Sequence, residues 1–541
     1  MRPTLFLALC TLLGCAHSPS QGTAAPEVST AVTTEAPRPA EPSPEVRQAM
    51  WQAAVAIESG DAAKGLAELQ RLWNEGHHHY EVAWFAAYGA VGTGDNAAAF
   101  TWLERAVEQG MSVPDDLLKD RPLAPLRSMP GYDALVARAR QNALDARVAG
   151  NVGAGLEKTP PAEAGLSEPA LAELVKAAED SGSSALVLLR HGKLVGEWYF
   201  GGETRRIESM SATKAVVALA IGLLIDDGKI PSADTPVSAF FPEWKEGLKA
   251  KVTLRHLLSH TSGLAAQRTA KDIYQSKDFV RYALEADIVE EPGTRFFYNN
   301  KATNLLAGVV ERASGEKMDV YLKRRLFAPL GIRDVVWQKD PSGNPLGMSG
   351  LRLHPVDFAK VGQLLLQKGE WQGRRVLSES WIRECTASPA QEYDATSGLL
   401  WWRVYEQTFR VVGREMVEEA RLNGMPEESL ARLADLVGRP IPSKDLLRTL
   451  SERLGGMEGV AALIQKSGRA QFRTQVVGPS RGYAAKGQSG QVLMVLPEQG
   501  LVAVRMAVPK GRVPEHVLEF PRFTELVLKL VPPVTPTAST R

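Results

Sequence analysis

The chain has 541 residues, more than one ordinary hydrophobic core accommodates, so two or three folded units are expected. With 63 Lys and Arg against 62 Asp and Glu the formal charge is +1, which leaves no global field to draw nucleic acid or an anionic surface and favours small, near-neutral substrates. Three cysteines, Cys10, Cys15 and Cys385, are too few for a disulfide scaffold, and no zinc-type Cys/His cluster or nucleotide-binding glycine loop is present, so no metal and no organic cofactor are expected.

The chain opens with Met1-Arg2-Pro3, the apolar run Leu5 to Leu9, and Leu12-Leu13-Gly14-Cys15. A run this short cannot cross ~30 Å of hydrocarbon as a stable helix. It reads as a bacterial lipoprotein signal over 1–14, cleaved before Cys15, which then carries lipid. Ala16-His17 supplies no aspartate after that cysteine, which by analogy with Gram-negative sorting points to the outer membrane. Residues 15–45 are rich in Ala, Pro, Ser, Thr and Glu and are expected to form a disordered tether.

From 46 to 145 the pattern is helical and it repeats. Gly60-Asp61 recurs as Gly94-Asp95, and Gly76 as Gly110, each 34 positions later. A 34-residue period built from two helices resembles the tetratricopeptide repeat, whose relatives recruit protein partners; an ordinary pair of helical hairpins fits the same pattern. His77-His78-His79 follows Gly76 and is expected in a solvated turn rather than at a metal site, because adjacent side chains diverge and no acidic or Cys cluster supports them.

Residues 155–535 carry the candidate chemistry. Ala185 to Arg190 and Leu194 to Phe200 flank a His191-Gly192-Lys193 turn, and Gln491 to Leu496 and Gly500 to Met506 flank Pro497-Glu498-Gln499; each reads as a β-hairpin. Strands at both ends with helices between them predict an α+β unit, an antiparallel sheet flanked by helices with a helical subdomain. Ser211-Ala212-Thr213-Lys214 begins the apolar run Ala215 to Ile225, which predicts a buried helix. Positions three apart share a helix face, so the Lys214 amine can approach the Ser211 hydroxyl, and an amine discharged by burial can take the hydroxyl proton. Ser314-Gly315-Glu316-Lys317 has the same spacing, but its glycine marks a helix end.

Four segments, SMSATK (209–214), VTLRHLLSHTSGL (252–264), EPGTRFFYNNKATNLLAGVVE (291–311) and MSGLRLHPVDFAKVGQLLL (348–366), resemble the serine β-lactamase and penicillin-binding-protein-like superfamily, in particular its class C β-lactamase, esterase and 6-aminohexanoate-oligomer hydrolase branch. The resemblance implies that Ser211 is the nucleophile and Lys214 its base. It implies that Tyr298, in Tyr298-Asn299-Asn300, is a second proton-transfer group drawn towards phenolate, and that Asn300 bonds Lys214 and the substrate's acyl side. Where lactamases carry Lys-Thr-Gly, this chain offers Ala485-Lys486-Gly487-Gln488, in which Gly487 would admit the substrate to the backbone and the Gln488 amide would join that of Ser211 around an oxyanion. Lys466-Ser467-Gly468 also fits that motif literally but ends a helical stretch.

Ala485 in place of lysine removes the obvious partner for a β-lactam carboxylate, which favours general amide or ester hydrolysis. A catalytically silent binding protein on the same fold, or a D-Ala-D-Ala carboxypeptidase or β-lactamase, are the alternatives. Between Trp402 and Gly482, about 403–481, the chain has an insertion that reads as helical and is expected to restrict access to the site.

Overall fold

The computed structural model describes residues 42–112, 117, 122–200, 204–266, 270–386, 394–468, 470–508 and 520–531. The signal-like segment with Cys15, and the tether up to residue 41, lie outside the described residues. No described helix is long and apolar enough to cross a membrane.

Four helices open the described chain: α1 (Pro44–Ser59), α2 (Ala62–Asn74), α3 (Tyr80–Gly92) and α4 (Asn96–Glu108). The 34-residue period is carried into their geometry. Asp61 and Asp95 cap α2 and α4 by accepting the amides of Lys64 (3.4 Å) and Ala98 (2.9 Å), and the glycine before each cap is left-handed, with φ of 99° and 83°. Helix α3 is apolar on every face, as a helix enclosed by the others must be, and Val82 to Ala90 are all buried. This region touches the rest of the chain through the stacked rings of Trp51 and Tyr274, 6.2 Å apart, and through Arg147 of α5 (Tyr132–Ala149), 3.0 Å from Glu197.

The histidine tract departs from expectation. His79 is 6% exposed and its Nδ1 accepts the Glu81 amide at 3.3 Å, capping α3, while burial pushes its pKa down to about 4. His78 lies against the Trp73 ring at 4.5 Å. A ring that caps an apolar helix is drawn inward with it.

The second unit is built on a six-stranded antiparallel sheet. In chain order, its parts are helix α6 (Glu168–Asp180), strands β1 (Ala185–Arg190), β2 (Lys193–Tyr199) and β3 (Ile207–Glu208), helices α7 (Thr213–Asp226), α8 (Leu254–Leu258) and α9 (Asn300–Ser314), strands β4 (Val335–Trp337) and β5 (Leu351–Leu353), and helix α10 (Pro355–Leu366). There follow β6 (Trp402–Val404), the insertion, β10 (Gly482–Gly487), β11 (Gln491–Leu496), β12 (Leu501–Met506) and helix α14 (Phe523–Lys529). The sheet order is β2-β1-β12-β11-β10-β6, and both expected hairpins are present, with Leu188 opposite Gly196 and Val495 opposite Val502.

Alternate strand residues feed two cores. Val187, Leu493 and Val504 pack with α7 and α10, while Leu186, Met494 and Ala503 pack with α6 and α14. Covering both faces with helices explains why these strands read as unbroken apolar runs despite being antiparallel. The second Ser-x-x-Lys match ends α9 at Ser314, with Gly315 left-handed at φ 81° and Lys317 paired to Glu311 at 2.8 Å.

The insertion has its own core of Val412, Met416, Leu433, Leu450 and Leu463. It holds β7 (Gln407–Val411), α11 (Arg414–Leu422), β8 (Pro440–Pro442), α12 (Leu446–Leu454), α13 (Met457–Lys466) and β9 (Arg473–Val477), with the strands in the order β8-β7-β9. The all-helical expectation is therefore corrected: strands this short give no readable alternation, and prolines bound β8. Lys466 ends α13 and donates to the carbonyls of Asn423 (2.9 Å) and Gly424 (3.0 Å), so Lys466-Ser467-Gly468 belongs to the insertion's own framework.

Candidate active site

Strand β3, paired with β5, runs into a tight turn, Met210–Ala212, from which α7 departs. Met210 has φ 48°, a left-handed conformation unfavourable for a long side chain, and it presents Ser211 at the head of the helix. Lys214, in the first turn of α7, is 3% exposed; its Nζ stands 3.1 Å from Ser211 Oγ and donates to the Met348 carbonyl at 2.7 Å. Burial holds the Lys214 pKa well below the usual lysine range, which favours a neutral amine with a lone pair free to face the hydroxyl.

Tyr298 precedes α9. Its ring lies 4.9 Å from Lys214 Nζ, so Ser211, Lys214 and Tyr298 converge. The backbone on either side of Tyr298 is pinned to His260, whose carbonyl accepts the Phe297 amide (2.8 Å) and whose Nδ1 accepts the Asn299 amide (3.2 Å). Asn299 in turn caps α9 through Oδ1, bonded to the Lys301 and Ala302 amides at 2.9 and 3.3 Å.

Burial pushes the Tyr298 pKa up to about 12, opposed by its hydrogen bond with Ser211. Burial thus favours the phenol form of Tyr298, against the expected pull towards phenolate, and it also lowers the pKa of Lys214, the ammonium that was to exert that pull. Asn300 is the first residue of α9, while the described hydrogen-bond partners of Lys214 are Ser211 and the Met348 carbonyl.

Gly487 ends β10 against the serine turn. A Cβ there would stand 2.4 Å from the Ser209 carbonyl oxygen and 3.0 Å from the Ala212 nitrogen, so the Ser211 turn itself demands glycine. Gln488 follows directly, exposed, and opens the turn Gln488–Gly490, in which Ser489 has φ 61°. Ala485 is fully buried and Lys486 is exposed on the opposite pleat.

A cleft unites Ser211, Lys214, Tyr298 and His260 with Ser397, Leu400, Trp401 and Trp402. Sequence reading missed the last five and the Met348 carbonyl as site components. His260 lay inside the quoted VTLRHLLSHTSGL segment and the tryptophan pair marked the edge of the insertion, but a backbone acceptor such as Met348 leaves no mark in residue identity. Among the described residues no group of three or more His, Cys, Asp or Glu is placed to hold a metal ion.

A family model described as Beta-lactamase matches residues 171–521, more than half of the chain. The chain belongs to the beta-lactamase family. Among similar proteins, the 6-aminohexanoate-dimer hydrolase of Paenarthrobacter ureafaciens is 26% identical over 246 residues, 41% of this chain and 62% of that protein. Esterase EstB of Burkholderia gladioli is 33% identical over 144 residues, 23% and 36% respectively. The putative penicillin-binding protein PbpX of Bacillus subtilis is 27% identical over 181 residues, 32% and 45%. This beta-lactamase-family chain thus spans less than two thirds of the length of each of these relatives. A solved putative beta-lactamase from Bacteroides dorei DSM 17855 is 18% identical with a TM-score of 0.48, covering 68% of this chain and 99% of that one.

Proposed function

We propose that the chain is a serine hydrolase that cleaves an ester or amide through an acyl-enzyme on Ser211. The observation that carries this reading is the buried Lys214 amine 3.1 Å from the Ser211 hydroxyl, its pKa lowered by burial and its nitrogen anchored by the Met348 carbonyl. Ser211 Oγ attacks the carbonyl carbon while Lys214 takes its proton. The backbone amides of Ser211 and Gln488 hold the oxyanion. Tyr298, a phenol rather than a phenolate, donates a proton to the leaving group and is recharged from Lys214; water then attacks the acyl-enzyme by the reverse path.

Uncharged substrates suit the cleft. Its described lining is apolar along Leu400, Trp401 and Trp402, and the Ala485 position carries no cation for a substrate carboxylate. The relationship to an esterase and to an amide hydrolase agrees with that chemistry. Export and lipidation at Cys15, with anchoring to the outer membrane, belong to the same proposal and rest on the signal-like sequence; a protein partner for the helical repeats rests on their 34-residue period.

The test is intact-protein mass spectrometry after exposure to a fluorophosphonate and, separately, to penicillin, with Ser211→Ala as control. Fluorophosphonate adduction that vanishes in the control is expected, with little or none from penicillin. Penicillin adduction at Ser211 would move a β-lactamase or carboxypeptidase ahead. No adduct from either reagent on folded protein would favour the silent binding protein.

A further inference from the structure

His260 is not explained by acid–base chemistry at Ser211. It is 4% exposed, and it holds φ 58° at the end of the α8 turn. Its ring stands 4.5 Å from that of Tyr298 and forms part of the cleft wall.

Its tautomer is set by its neighbours. Nδ1 accepts the Asn299 amide at 3.2 Å, so it carries no proton and the ring hydrogen is on Nε2. Burial drives the imidazole pKa down to about 3, so the ring stays neutral through the working range. Nε2 makes no described hydrogen bond and is not one of the buried side-chain atoms without a partner, so it keeps some exposed surface, in a ring that lines the cleft. A fixed, neutral N–H donor therefore opens on the cleft beside the phenol that serves the leaving group.

We infer that His260 is a specificity-determining residue whose Nε2–H binds an uncharged acceptor oxygen in the leaving group, separated from the leaving atom by two carbons. This rests on the serine hydrolase reading and narrows its substrates to esters or amides with an ether, hydroxyl or carbonyl oxygen at that position. A purely hydrocarbon leaving group leaves the donor unmatched, and an ammonium there meets a donor with nothing to accept its protons.

Two substitutions separate this role from the pinning of the Tyr298 segment. In His260→Asn the side-chain oxygen can replace Nδ1 as acceptor for the Asn299 amide but cannot reach as a donor to the Nε2 position, and asparagine tolerates the left-handed backbone. His260→Gln can present its amide donor near Nε2 while giving up the Nδ1 contact. The kcat/KM of wild type and both variants is measured by pH-stat on 2-methoxyethyl butyrate and n-butyl butyrate, which differ by one ether oxygen for methylene. Intrinsic reactivity cancels when each variant is compared with wild type on the same ester.

The ether-to-alkyl ratio is expected to fall about five-fold in His260→Asn and to persist in His260→Gln. A ratio unchanged in His260→Asn, or no turnover of either ester by protein that a fluorophosphonate labels at Ser211, would overturn the assignment to His260 alone. Wild-type protein that no fluorophosphonate labels would overturn the hydrolase reading and this inference together.

Discussion

The cleft region and the insertion handle backbone conformation in opposite ways. Every described left-handed residue of the insertion is a glycine: Gly424, Gly438, Gly455, Gly456, Gly468 and Gly478. Around the cleft, Met210, His260, Leu400 and Ser489 adopt φ between 48° and 62° with full side chains. The same half of the molecule buries Lys214, and also Glu208, whose pKa burial raises to about 7 and whose Oε1 accepts the Gly350 amide at 3.1 Å. The insertion puts its charges outside, as in the Arg453–Asp435 and Arg421–Glu427 pairs, and encloses apolar side chains. Strain and buried titratable groups thus mark the region where chemistry is proposed, and the added unit is built for stability.

The largest expected effect comes from relieving the most costly group. Lys214→Met should lower kcat by about 10³-fold, the scale of a lost general base, while raising thermal stability. The pH dependence gives the sign. Unfolded lysine keeps its proton up to about pH 10.4, whereas the folded Lys214 gives it up at a well-depressed pKa. Folding therefore releases a proton, and stability rises with pH between the folded and unfolded values. Lys214→Met should flatten that rise in urea titrations run from pH 7 to 10. A variant that is less stable than wild type and keeps the slope would show that Lys214 is held charged, and the contrast between the two regions would fail.

Next comes the seam between β10 and the serine turn. Gly487→Ala places a methyl 2.4 Å from the Ser209 carbonyl, and backbone, not a flexible side chain, must yield. A loss of about 1–3 kcal/mol in stability is expected, with fluorophosphonate labelling of Ser211 slowed well beyond what the lost stability explains. The corresponding change in the insertion, Gly438→Ala, meets nothing within 4 Å. It strains only its own φ of 80°, and labelling should not change.

The insertion meets the cleft through the segment that carries Tyr298. Arg295 pairs with Glu415 and approaches Glu419 at 3.9 Å, and Gln471 donates to the Phe296 carbonyl at 3.3 Å. Because Val411 and Arg473 are register partners in β7 and β9, an Asn-Gly turn can replace residues 412–472 and close a plain hairpin. If the unit restricts access, the excised protein gains about ten-fold in kcat/KM on bulky esters over short ones. A uniform fall across substrate sizes would mean that the unit steadies Tyr298 instead, and unchanged values would leave it without a role at the site.

Much of this contrast could be read from residue patterns, though unevenly. The hairpins were legible because apolar runs flank turn residues, and the Ser211–Lys214 pairing because helix geometry converts a spacing of three into proximity. Asp61 and Asp95 were legible as a period, and the structure adds that each is a helix cap. The strands of the insertion were hidden in segments of three to five residues between stronger helical signals. The state of Tyr298 was misjudged because its sign depends on how completely Lys214 is buried, a tertiary quantity. The hold of the Met348 carbonyl on Lys214 was unreadable because every residue has a carbonyl.

The smallest effect expected tests the helical repeats, where the paired caps differ in geometry. Asp95 accepts the Ala98 amide at 2.9 Å, a good hydrogen bond, while Asp61 reaches the Lys64 amide only at 3.4 Å. Removing a helix cap typically costs about 1 kcal/mol. Asp95→Ala should therefore lower the midpoint of thermal unfolding measurably, Asp61→Ala by less, and neither should change Ser211 labelling, because the helices they cap pack into a core separate from the cleft. Equal losses would mean that the two repeats are energetically equivalent despite the longer bond. A loss of labelling in either variant would mean that the helical unit reaches the site through contacts such as the Trp51–Tyr274 stack, since Tyr274 Oη lies 3.4 Å from the hydroxyl of Ser349, next to the Met348 carbonyl that holds Lys214.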